Sequence, residues 1–255
     1  MAQSTNDLSL SNAEVFHPVF VDAEMSERRR SSRPTEEEAI TGQIGPGGLP
    51  QKKYSYLSNS IKRFIDLSAA VVGLILLTPI LAVIALLIKT TSKGPVFFIQ
   101  KRVGMGGTTF KMYKFRTMVL NAEELKSQLM AQNEVSGPVF KIKRDPRVTA
   151  IGRFLRKTSL DELPQLLNVV LNDMSLVGPR PPLMDEVVKY RQWQTRRLSV
   201  KPGITCIWQV SGRNQVTFDE WVRMDLRYIE KRSLFLDLVL LVKTLKVVFI
   251  RPDGA

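Results

Sequence analysis

The run Leu67–Ile88, LSAAVVGLILLTPILAVIALLI, carries no charge over 22 positions. As a straight helix it is roughly 33 Å long, matching the hydrocarbon core of a bilayer. It reads as a transmembrane helix, a buried core helix or a re-entrant hairpin. Basic residues flank both ends, Lys62 and Arg63 before the run and Lys89, Lys93, Lys101 and Arg102 after it. Positive charge marks the cytoplasmic side, so both ends point to the same face. Pro79 follows Thr78 in mid-run, where a missing backbone donor and a ring clash kink a helix. A kinked helix with both ends on one side dips into one leaflet and returns. On the residues alone the spanning and re-entrant readings stand level, and the soluble core helix stands behind both.

The charge distribution sharpens this. Residues 1–50 hold four Arg and eight Asp or Glu, a net −4, whereas the rest of the chain holds 33 basic and 16 acidic residues, a net +17. A body this basic expects a polyanionic partner: nucleic acid, acidic lipid or phosphorylated substrate. Cys206 and His17 are the only residues of their types. An internal disulfide and a cysteine-built zinc site are therefore excluded, and so is a histidine base in the folded part. The chemistry falls to Asp, Glu, Lys, Tyr, Ser or Thr.

Residues 1–53 read as a disordered tail, with weak apolar periodicity and the breaker run Gly45-Pro46-Gly47-Gly48-Leu49-Pro50. They lack the apolar core of a secretory signal. Residues 54–92 form the membrane segment and 93–255 the globular part. There, Val96–Gln100 and Thr109–Phe115 make a β-hairpin about a Gly-rich turn. Helices are expected over Asn121–Asn133, Gly152–Lys157, Leu163–Leu171, Val187–Arg197 and Phe218–Glu230. Leu234–Ile250 is apolar but for Asp237, Lys243 and Lys246. It fits a core helix and an interfacial helix with snorkelling lysines equally well.

Chemistry concentrates in Arg153–Pro182, RFLRKTSLDELPQLLNVVLNDMSLVGPRPP. Ser159-Leu160-Asp161-Glu162 matches a capping box, although Pro164 also allows the helix to begin at Asp161. Either way Asp161 and Glu162 sit at a helix N-terminus, which lowers a carboxylate's pKa and seats phosphate. An arbitrary match of this kind is usually only a cap. Here Arg153, Arg156 and Lys157 precede the pair, and Arg180 follows in a Gly-Pro-Arg-Pro-Pro loop. Arginine forks suit phosphate oxygens, and carboxylates ringed by them suit phosphoryl transfer. One carboxylate attacks phosphorus, while the other holds a divalent metal.

Two further clusters stay open at this stage. Lys101, Arg102, Lys111, Lys114 and Arg116 alternate with Phe110, Tyr113 and Phe115, as a solvated face or a nucleic-acid surface would. Lys201–Asn214 combines glycine turns with Gln209, Arg213 and Asn214, as a ligand loop or a structural loop would.

Seven ordered blocks carry a resemblance: KRFIDLSAA, LLTPILA, GPVFFIQKRVG, FKMYKFRTM, RVTAIGRFLRKTSLDELPQLLNVVLNDMSLVGPRP, VKPGITCIWQVSGRN and SLFLDLVLL. The chain resembles the monotopic phosphoglycosyl transferases of the bacterial sugar transferase family from about Lys62 to Pro252. The resemblance implies transfer of a hexose-1-phosphate from a UDP-sugar to undecaprenyl phosphate, with release of UMP. This is the first membrane step of exopolysaccharide, O-antigen or capsule assembly. It implies Asp161 as the nucleophile of a covalent intermediate and Glu162 as the Mg²⁺ ligand. Arg156, Lys114, Arg180, Arg213 and Asp237 match its phosphate- and substrate-binding positions. Thr78 and Pro79 stand where the family's membrane helix breaks at Ser-Pro, and threonine can make the same hydroxyl-to-backbone bond. Lys93 replaces the acidic residue of the usual Asp-Gly-Pro turn.

The implied fold is α/β but mostly helical: a re-entrant membrane hairpin, then a small catalytic domain with a β-hairpin and interfacial helices. The implied place is the cytoplasmic face of a bacterial inner membrane, with anionic lipids as partners and no nucleic acid. The oligomeric state stays open, a homodimer included. The sugar is open too, with glucose or galactose as the guess. Two rivals remain: a membrane-anchored basic scaffold or nucleic-acid binder without catalysis, and an enzyme moving the sugar without its phosphate.

Overall fold

In a computed structural model of the chain, the apolar run lies inside one α-helix, α1 (Tyr56–Thr91). The structure describes Gly42 and residues 56–134, 137–211 and 216–250. The tail expected over 1–53 (Gly42 apart) therefore lies outside the described residues. Helix α1 passes through Pro79 as one element, so the bend of a re-entrant hairpin is not shown. The expected hydroxyl bond is present, with Thr78 Oγ1 donating to the Leu74 carbonyl at 2.7 Å.

One face of α1 rests on the globular body along its length. Ala70 packs with Met112, Val169, Met174 and Tyr228, whereas Ile84 and Ile88 pack with Phe115 and Leu155. Side chains at both ends reinforce these contacts. Near the start, Lys62 pairs with Asp237 at 2.6 Å, and Asp66 accepts a 2.7 Å bond from Ser175. The Arg63 guanidinium donates to the Val169 and Val170 carbonyls at 2.6 and 3.1 Å. Those carbonyls lie at the C-terminal end of the helix Gln165–Val170, where the dipole favours a cation. At the other end Arg116 donates to the Ser92 and Lys93 carbonyls at 2.9 and 2.6 Å, closing the exit of α1. The opposite face, with Val72, Ile75, Leu76, Val83 and Leu86, is exposed. Only 11% of the most apolar stretch is buried, so α1 is not a soluble core helix.

Strands β1 (Phe97–Val103) and β2 (Thr109–Phe115) form the expected antiparallel hairpin, with Phe97 opposite Phe115 and Val103 opposite Thr109. Helix α2 (Ala122–Leu129) is shorter than expected and ends in a 3₁₀ turn, and Asn121 makes no side-chain cap bond. Helix α3 (Ala150–Thr158) starts at Thr149, whose hydroxyl accepts the Gly152 amide at 3.0 Å. A Cβ at Gly152 would overlap the Thr117 carbonyl, so only glycine lets α3 lie this close to the strand exit. Helix α4 (Gln165–Val170) follows.

Next come β3 (Ser175–Val177), α5 (Met184–Val187), α6 (Gln192–Thr195) and β4 (Gly203–Thr205). Strands β3 and β4 pair in parallel, a contact that three-residue runs do not reveal by periodicity. The continuous helix expected over Val187–Arg197 is broken into α5, α6 and a 3₁₀ turn at Arg196–Ser199. Helices α7 (Ile207–Ser211), α8 (Phe218–Lys231) and α9 (Leu234–Ile250) complete the order. In α9 one face packs into the body as a core helix would, and the other is exposed. Asp237 and Leu240 are buried, whereas Phe235, Leu238, Val242 and Leu245 are exposed. The described fold is thus mostly helical, with one long apolar helix and a small antiparallel hairpin.

Candidate active site

Ser159 does not cap a following helix. It ends α3 in the left-handed region at φ 58°, its amide donating to the Arg156 and Leu155 carbonyls. Leu160–Glu162 is a 3₁₀ turn, and Pro164 introduces α4. The S-x-x-E spacing matched a capping box, but Ser159 takes a left-handed conformation that ends α3, and its side chain makes no cap bond. It thereby places Asp161 and Glu162 against β2 rather than on an open helix end.

Asp161 is 8% exposed yet lines a cavity of about 270 Å³. Glu162, Arg156, Arg180, Asp145 and Arg147 line the same cavity. Lys114, from β2, places its ammonium 2.6 Å from Glu162 Oε1, with both side chains largely buried. Arg180 lies 3.9 Å from the same oxygen. Arg156 is held by a 2.9 Å bond from its Nε to Thr117 Oγ1. Four of the expected residues thus converge on Asp161: Glu162, Lys114, Arg156 and Arg180.

The electrostatics correct one expectation. Burial pushes the Asp161 carboxyl up to about 6, with Lys114 opposing and Glu162 adding to the rise. The 3₁₀ turn supplies too little helix dipole to reverse this. Burial likewise lowers the Lys114 ammonium and the Arg156 guanidinium from their usual values, while Glu162 and Asp161 respectively hold them up. At neutral pH the centre is a mostly ionised carboxylate, poorly solvated and facing cations, which suits attack on an electrophile.

Other expected residues fall elsewhere. Asp237 does not line this cavity: it is buried between Lys62 and the Tyr228 hydroxyl, which donates to it at 2.7 Å, below the start of α1. Arg213 lies outside the described residues. In the basic–aromatic cluster Arg102 and Arg116 are buried and bond protein carbonyls, and Lys114 pairs with Glu162. Those three build the interior rather than a solvated face.

The sequence reading missed several wall residues. Arg147 wraps Asp145, with Nε and a terminal nitrogen 2.9 and 2.6 Å from the carboxylate, and also donates to the Ala122 carbonyl at 3.0 Å. Trp208 and Trp221 stack at 4.5 Å and line the cavity beside Gln209. The D-x-R spacing of Asp145 and Arg147 was a legible signal; Trp208 and Gln209 lie in the segment read as a ligand loop or a structural loop, and Trp221 had no signal. The Arg180 loop is also fixed in place. The carbonyls of Pro179, Pro181 and Pro182 accept from the Gly203 amide, Arg102 and the Val103 amide at 2.9, 3.0 and 3.0 Å.

A family profile described as "bacterial sugar transferase" matches residues 57–251. The chain belongs to the bacterial sugar transferase family. Its relatives include the galactosyl transferase CpsE of Streptococcus agalactiae, 48% identical over 200 residues, covering 78% of this chain and 44% of CpsE. The undecaprenyl-phosphate galactose phosphotransferase of Salmonella typhimurium is 46% identical over 203 residues, covering 78% and 42%. The exopolysaccharide production protein ExoY of Rhizobium meliloti is 42% identical over 191 residues, covering 73% and 84%. The chain therefore spans less than half of the first two relatives and most of ExoY. The matched span holds the sugar transferase's candidate nucleophile and every cation gathered around it.

Among the described residues no three His, Cys, Asp or Glu side chains cluster as a metal cage. Magnesium commonly takes only one or two carboxylates and completes its shell with water and substrate phosphate. The hard carboxylate oxygens of Glu162, in the same cavity as Asp161, fit that habit.

Proposed function

We propose that the chain transfers a hexose-1-phosphate from a UDP-sugar to undecaprenyl phosphate and releases UMP. The observation that carries this reading is the buried Asp161 carboxylate in a cavity walled by Arg156 and Arg180, beside the Lys114–Glu162 pair. In the first step an Asp161 oxygen bonds to the β-phosphorus, and the bond from that phosphorus to the bridging oxygen of UMP breaks. In the second, an oxygen of undecaprenyl phosphate bonds to the same phosphorus and the Asp161 carboxylate leaves. Arg156 and Arg180 bind phosphate oxygens, and Arg213 is assigned to the nucleotide-sugar. Lys114 holds Glu162 in place and adds positive charge to the centre. Glu162 would hold Mg²⁺, which, when bound, neutralises diphosphate charge. The donor is assigned as UDP-galactose or UDP-glucose, and the pathway as exopolysaccharide-type assembly.

The same reading seats α1 in one leaflet, on the cytoplasmic face of the inner membrane, entering and leaving on the same side. Support comes from the ties at both its ends to one charged body and from its exposed outer face. A helix crossing the bilayer would carry one tied end away from that body. Anionic lipid would complement the basic surface.

The test is nucleotide release by purified protein with undecaprenyl phosphate, Mg²⁺ and either UDP-galactose or UDP-glucose. UMP from the wild type, and none from Asp161→Asn, is expected. UDP in place of UMP would mean simple glycosyl transfer. UMP release undiminished in Asp161→Asn overturns the nucleophile assignment.

A further inference from the structure

The four consecutive carbonyls of Pro179-Arg180-Pro181-Pro182 are each taken by a donor from another part of the fold. Two donors are backbone amides, from Gly203 and Val103. The other two are buried arginines: Arg197 reaches the Arg180 carbonyl at 3.1 Å, and Arg102 reaches the Pro181 carbonyl at 3.0 Å. Three of the four loop residues are prolines, so the segment can offer only the amide of Arg180 and depends on borrowed donors. Arg197 is itself held from behind. It is 4% exposed, donates to the Tyr190 hydroxyl at 2.9 Å, and pairs with Asp225 of α8 at 2.5 Å. Arg102 is fixed by two bonds to Gln100 Oε1, at 3.1 and 2.6 Å.

We propose that Arg197, backed by Asp225, and Arg102 are positioning residues that hold the Arg180 guanidinium at the phosphate site. They bind no substrate themselves. The planar fork of Arg197 serves two acceptors in fixed directions, the Tyr190 hydroxyl through one terminal nitrogen and the Arg180 carbonyl through the other. A site preorganised in this way avoids reorganisation when the charge of the transferring group arrives. The inference rests on the assignment of Arg180 to donor phosphate.

The experiment is a double-mutant cycle on UMP release from UDP-galactose, or UDP-glucose if that is turned over faster. Arg197→Met is combined with Asp225→Leu, because removing both charges leaves no lone buried ion. The expected result is a donor KM raised at least tenfold, with the KM for undecaprenyl phosphate changed less than twofold. In an Arg180→Ala background the same pair of substitutions should then change turnover less than threefold. Arg102→Gln gives a second reading through the Pro181 carbonyl, by the same criteria, should the pair variant not fold. Equal losses in both backgrounds, or parallel rises in both KM values, overturn the proposal and mark a structural role. If Arg180→Ala alone leaves donor KM and turnover unchanged, the assignment of Arg180 to phosphate fails first.

Discussion

Lys114 and Glu162, 48 positions apart in sequence, meet at 2.6 Å with their side chains 15% and 19% exposed. The hairpin carries the lysine and the 3₁₀ turn carries the glutamate, so the ion pair joins two elements beside the Asp161 carboxylate. Lys114→Met would leave Glu162 poorly compensated beside Asp161. UMP release should fall by about 100-fold, the usual scale for one preorganised electrostatic contact. Loss of less than about threefold in a folded variant would remove Lys114 from the centre.

Asp161 is held ionised in surroundings that disfavour its charge. Asp161→Asn should abolish turnover and raise the melting temperature together. A stabilisation on the order of 1–3 kcal/mol follows from relieving that penalty. Calorimetry on the membrane-extracted protein checks the sign, and a destabilised variant would contradict it.

Asp145 behaves in the opposite way. Burial raises its carboxyl, but the bonds from Arg147 outweigh that and hold it below the usual carboxylate range. A depressed folded-state pKa stabilises above the unfolded value, near 4, and the stabilisation is lost as pH falls through the folded value. Asp145→Asn should therefore destabilise by about 1–3 kcal/mol at pH 7. Denaturant titrations at pH 7 and pH 3 should show the gap closing at the lower pH.

Asp237 belongs to the foundation of α1, where it meets Lys62 at 2.6 Å and Tyr228 at 2.7 Å. Asp237→Asn breaks a buried pair, and a loss of about 3 kcal/mol is expected. Donor KM per folded molecule should stay within twofold. A selective rise in KM would return Asp237 to the substrate site.

The topology of α1 is open to labelling because the native Cys206 is buried. Asn59→Cys and Thr91→Cys, near the two ends of the helix, should both react with an impermeant maleimide from the side bearing the globular body. Reaction from opposite sides would establish a spanning helix.

What the sequence disclosed follows from the range of each interaction. The hairpin was legible because β-rich runs flank a glycine turn. Arg156, Asp161, Glu162 and Arg180 were legible because one short segment holds all four. Ser159 misled because S-x-x-E reports spacing and not backbone sign, and its φ of 58° makes it the end of one helix rather than the cap of the next. The burial that lifts Asp161 comes from packing against β2, to which no local pattern points. Arg197 and Asp225 were invisible for the same reason: 28 positions separate them, and neither stands in a motif.

Gly152 connects the backbone to this chemistry at a distance. Its bare α-carbon lets α3 press on the Thr117 carbonyl, and the hydroxyl of the same threonine steadies Arg156 four residues further along the helix. One methyl group at position 152 would wedge that seam apart and swing an arginine away from Asp161 without touching any ionisable group. The seat of Arg156 is thus hostage to a hydrogen atom.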